Sequence, residues 1–84
     1  MATSSQFAIG TTATEIVATD NVQRNVCIHS KGTIYLGDEG VTTSNGLSMD
    51  NGDKIIIILH EGETLWAVSN TGNQSLSILV TAIK

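Results

Sequence analysis

GDKIIIILHEGETLWAVSNTGNQSLSILV, residues 52–80, carries glycines at 52, 62 and 72, each just ahead of an apolar or alternating run. Ten residues is the length of one short strand with its turn, so the spacing predicts consecutive strands in an antiparallel meander. Asn51-Gly52 within DNGD (50–53) suits a tight hairpin turn, and HEGE (60–63) and NTGN (70–73) punctuate the next two connections. Working outward, Gly32 leads GTIYL (32–36) in the same way, and Thr, Ser, Val, Ile and Gly prevail where helix formers at a period near 3.6 are missing. Strands are expected near 13–18, 23–29, 33–37, 54–59, 64–69 and 75–83, with a longer loop, DEGVTTSNGLSMDNG, over 38–52. The fold class is all-β: a small antiparallel β-sandwich or β-barrel of about six to eight short strands. Residues 13–84 form this single domain, and a Ser/Thr-rich flexible arm covers residues 1–12.

Strand parity sorts the faces. In the last strand Leu76, Ile78, Val80 and Ala82 alternate with Ser75, Ser77, Leu79 and Thr81, so the first set points to the core. Val26 and Ile28 point inward with Asn25, Cys27 and His29 on the opposite face; Ile34 and Leu36 point inward and leave Tyr35 at a rim or interface. Two strands break the alternation. Ile55, Ile57 and Leu59 are matched by Ile56 and Ile58, and Leu65 and Ala67 by Trp66 and Val68. If these strands form a hairpin about HEGE, then Ile56, Ile58, Trp66 and Val68, helped by Tyr35, make one outer patch that needs a cover. Burying the first four is worth roughly 6–12 kcal/mol at about 1.5–3 kcal/mol each, comparable with the ~4–15 kcal/mol lost on association. The cover is either the chain's own N-terminal segment, through Phe7 and Ile9, or another subunit; a chain of 84 residues has little to spare as a lid, which favours the subunit.

Size and charge narrow the classes. A chain this short buries only about 60% of its unfolded surface, and such domains lean on disulfides, metals or partners. Cys27 is the single cysteine, which rules out an internal disulfide, and no Cys/His framework for structural zinc exists. The net charge of -4 argues against nucleic acid and anionic membranes, both bound through basic patches. The N-terminal stretch has no basic region followed by an apolar one, and no run reaches the ~18 apolar residues of a membrane span. The expectation is a protein made in a cytoplasm with Cys27 reduced.

Chemistry is thin. Cys27 and His29 share a strand face but lack third and fourth ligands, and HEGE lacks the second histidine of a zincin helix. The acidic pairs Asp38 and Glu39, Asp50 and Asp53, and Glu61 and Glu63 sit beside glycine in expected turns, where solvated acids are ordinary; calcium binding or paired-carboxylate hydrolysis is the weaker reading. SKGT (30–33) is no phosphate loop, and NQS (73–75) fits a glycosylation sequon without a secretory context. The expectation is no enzyme, no cofactor and no metal.

Residues 25–80, through NVCI leading into GTIYLG, then VT with NG, a glycine-led apolar strand, GETLWAVS and a final SLSILV, resemble the small β-rich capsid decoration (cement) proteins of tailed bacteriophages, including cyanophages. The resemblance implies a structural virion protein on the outer capsid, made in the bacterial host cytoplasm. It would be a homo-oligomer, read as a homotrimer, that touches the major capsid protein through residues 1–12 or 38–52 and stabilises the shell. The alternative is a carbohydrate- or receptor-binding module of a phage tail or fibre, for which Trp66, Tyr35 and Phe7 are the available aromatics.

Overall fold

The computed structural model describes the backbone of residues 2–83 and the side chains of residues 4–81. Eight strands follow one another: β1 (Ala2–Ile9), β2 (Thr14–Val17), β3 (Gln23–Ser30), β4 (Ile34–Gly37), β5 (Leu47–Met49), β6 (Lys54–Leu59), β7 (Leu65–Val68) and β8 (Gln74–Ile83). They form two four-stranded antiparallel sheets, ordered β1-β8-β3-β6 and β2-β7-β4-β5. The chain therefore changes sheet at almost every turn, and β4–β5 is the one sequence-adjacent pair joined in a ladder. Two facing sheets threaded in this order make an eight-stranded jelly roll, a sandwich rather than a closed barrel.

This topology corrects the meander. β6 pairs with β3, whereas β7 lies between β2 and β4 in the other sheet, so the two strands flanking HEGE are not a hairpin. The turns themselves are well formed. In DNGD the Asp53 amide donates to the Asp50 carbonyl (3.0 Å) and the Asp50 amide to the Asp53 carboxylate (2.8 Å). HEGE repeats the pattern, with Glu63 N–H to the His60 carbonyl (3.2 Å) and His60 N–H to the Glu63 carboxylate (2.7 Å). Gly52 (φ 90°) and Gly62 (φ 80°) occupy the left-handed position in each. A reversal of this kind can return a chain to its own sheet or carry it across the sandwich, and here the strand partners decide.

The second correction concerns the N-terminus. Residues 2–9, read as part of an arm, are an edge strand in unbroken register with β8, from Ala2 opposite Thr81 to Ile9 opposite Gln74. Phe7 and Ile9 supply the reason, because on alternate positions they enter the core, Ile9 completely. Both therefore lie between the sheets, and β1 stands at the opposite edge from β6, so it covers neither Ile56 nor Ile58. Met1 and Lys84, the outer ends of the expected arm and domain, lie outside the described residues.

The core follows the expected parity: Val26, Ile28, Ile34, Leu36, Leu76 and Ile78 are buried between the sheets, and Val80 packs against them. One charged group is buried with them. Arg24, on the inward parity of β3, has its guanidinium shared among the carbonyls of Ala18, Val22, His60 and Glu63, the last at 2.9 Å. It ties the β2–β3 connection to the β6–β7 turn across the seam of the sandwich. Satisfied donors make this burial tolerable where a bare charge would not be.

Candidate interaction surface

Each sheet has an outer face, and the two faces differ. On the β2-β7-β4-β5 sheet, Tyr35 stands opposite Val68 in register and Trp66 opposite Gly37. Val68 is only 4% exposed, and Val41, from the β4–β5 loop, is 5% exposed; neither belongs to the cluster between the sheets. Val41 lies over Gly37, where an added Cβ would fall 2.7 Å from its Cγ2, and beside Gly46, whose Cβ would meet both Val41 and Tyr35. The loop is pinned by its own bonds: Val41 N–H to the Asp38 carbonyl (3.0 Å), Gly46 N–H to the Thr42 carbonyl (3.0 Å) and Thr42 N–H to Asn45 Oδ1 (2.7 Å). Trp66 is half-buried, with its indole N–H on Thr64 Oγ1 (3.2 Å). Over Val68 this face is covered by the chain itself, with Tyr35 and Trp66 half-buried beside it.

The β1-β8-β3-β6 sheet has no such cover over its last strand. Ile56 and Ile58 are 69% and 54% exposed, and the neighbouring Leu79 is 44% exposed. Ile56 stands opposite Cys27 on β3, and Cys27 opposite Leu79 on β8, so three side chains form one apolar row across three strands. The next row sets Ile58 beside Asn25, whose Oδ1 is buried without a hydrogen-bond partner among the described residues. Inward-pointing Ile55 and Ile57 are only partly buried, because β6 is the edge of its sheet.

The five residues expected to share one surface are thus divided. Ile56 and Ile58 stay together on the bare face; Tyr35, Trp66 and Val68 meet on the other sheet, where Val68 is inside. The reason is the missing hairpin, since sheet change at HEGE sends β7 away from β6. Two members of the bare face were not included, Leu79 and Cys27. A signal was present: Leu79 is an apolar residue flanked by Ser77 and Thr81 on the outward parity of β8.

Other arrangements offer little chemistry. A shallow groove between the β2–β3 connection and the β6–β7 turn is lined by Thr19, Asp20, Asn21, Glu61 and Gly62, closed at its base by the Gly62 N–H bond to the Asp20 carbonyl (2.8 Å). Among the described residues, no group of three or more His, Cys, Asp or Glu is placed to hold a metal ion.

No family model matches the chain, and no curated protein does. Among solved structures, the fold is similar to that of a chain from Bacillus endospore appendages, a family of disulfide-linked pili, with a TM-score of 0.58 and 11% identity over 100% of this chain and 87% of that one. At that identity the likeness is one of fold.

Proposed function

We propose that this chain is a non-catalytic structural subunit that assembles with copies of itself through the β6 side of its first sheet. The observation that carries the reading is β6 itself: four consecutive isoleucines in one strand, of which none is fully buried, in a chain whose other sheet face is closed by its own loop. An exposed apolar cluster of this kind is what a soluble monomer avoids and an assembling subunit uses. The setting we propose is the outer surface of a tailed-phage capsid, as a decoration protein bound to the major capsid protein. That setting is supported by the resemblance over residues 25–80 and by the compactness of a single jelly roll with an apolar side. The structural neighbour lends a fold and no partner.

Light scattering on the purified protein tests the assembly half, with an oligomer expected at micromolar concentration. Co-sedimentation with coat-protein shells tests the setting, and a chain that stays in the supernatant would remove it. The receptor- or carbohydrate-binding alternative draws on the groove at Asp20, Asn21 and Glu61, but no aromatic ring is among its lining residues to stack on a sugar. A glycan array with no binding is the expected result.

A further inference from the structure

We infer that the contact between copies is made by strand addition: the free edge of β6 pairs antiparallel with the same edge of a second copy about a two-fold axis centred on Ile57. The inference rests on the self-assembly reading and specifies its geometry.

The molecule has four sheet edges, and two of them are blunted. β2 is four residues long and broken by a register shift between Glu15 and Val17; β5 has three residues. β1 is long but presents Ser4, Gln6 and Ala8 on its outer face. Short length and bulges are usual means of blunting an edge, and an outer face of Ser, Gln and Ala offers a partner little apolar area to bury. β6 shows none of them in its apolar stretch, which pairs with β3 without irregularity from Lys54 to Leu59. Every second residue of such a strand turns its N–H and C=O away from β3 toward whatever lies beside it.

Parity and the symmetry of the apolar run select the partner and the register. A two-fold axis perpendicular to the sheet keeps inward residues on the inward side, so residues of like parity must face each other. The apolar run 55–59 is symmetric about Ile57. With Ile57 opposite its own copy, Ile56 meets Ile58 of the second copy, Ile55 meets Leu59, and the whole run is matched. The same register sets Lys54 opposite His60 of the second copy and, one step further out, Asp53 opposite Glu61. Charge at the two ends is therefore mixed, and the register rests on parity and on the symmetry of the apolar run. The surrounding outer face carries no Asp or Glu among its described residues, so carboxylates of the two copies meet only at the ends of the ladder.

A six-residue ladder is about 20 Å long, a small contact of the concentration-dependent class. It becomes lasting where many copies are held at high local concentration, as on a shell. The isologous pairing closes at two copies; larger assemblies then need a second contact, for which the row Ile56, Cys27 and Leu79 remains on the outer face.

The test is site-specific crosslinking of the full chain in a C27S background under a mild oxidant. Cα atoms of directly opposed residues lie about 4.5–5.5 Å apart, within disulfide reach, so I57C should form a covalent dimer. In this register residue 55 lies about 13 Å from its own copy, so I55C should crosslink at least about tenfold less. Equal crosslinking of both variants, or none in a protein that scatters as an oligomer, overturns the edge pairing while leaving self-assembly in place. A protein monomeric at all concentrations overturns both. Amide exchange on the unmodified chain gives a readout free of any folding defect: exchange over 54–59 should slow about tenfold as concentration rises, with the β1, β2 and β5 edges unchanged. Oligomerisation without that slowing refutes the inference.

Discussion

The β6 and β7 strands look alike in sequence and end differently in the fold. Each carries apolar residues on both parities, LWAV in one and IIIIL in the other. β7 lies inside its sheet, between β2 and β4, and its outward Val68 is buried on a face over which the 38–46 loop lays Val41. β6 lies at an edge with no loop above it, and its outward isoleucines stand in solvent. Two-sided apolarity marks a strand that needs cover; whether the cover is intramolecular depends on position in the sheet. The contrast separates what stabilises one molecule from what joins two.

Substitutions can break that contrast, and stability is best read by urea titration in the I56T/I58T background, where assembly does not contribute. The largest loss is expected for Arg24→Met at the seam of the sheets, about 3 kcal/mol, because four carbonyls lose their shared donor. Val41→Ser should cost about 2 kcal/mol by uncovering the closed face, and in the otherwise unmodified chain it should leave the oligomer intact as judged by light scattering. Gly62→Ala, at φ 80°, should cost about 1 kcal/mol. Gly72→Ala, which meets nothing within 4 Å, should change the midpoint hardly at all. A similarly small effect on monomer stability is expected for Ile56→Thr and Ile58→Thr themselves, read against the unmodified chain diluted to its monomer, within about 0.5 kcal/mol each for such exposed side chains. If either costs as much as Val41→Ser, the two regions are not different in kind.

Much of this was legible in the sequence, and each failure has a physical cause. Six strands fall within a residue or two of their expected spans, because each has a glycine or polar turn at its ends and β-branched residues between. The inward sets of β3, β4 and β8 follow from alternation alone. β1 was missed because in ATSSQFAI two apolar side chains, Phe7 and Ile9, are all that mark the inward face, and β5 because three residues hold no period. The pairing of β6 with β3, and of β7 with β2 and β4, is long-range information that a local reversal at HEGE does not encode. The expected patch is accordingly split: the isoleucine pair stays together on the exposed face of its sheet, while Trp66, Val68 and Tyr35 lie on the other sheet. Leu79 and Cys27 join Ile56 only once β8 and β3 are known to be its neighbours.

The most direct test of the account is light scattering of the unmodified chain beside the I56T/I58T variant across a concentration series, with circular dichroism to confirm that both are folded. The account predicts an unmodified chain that self-associates and a variant that keeps its β spectrum but scatters as a monomer. An unmodified chain that is monomeric throughout, or a variant that associates as strongly as its parent, would contradict it.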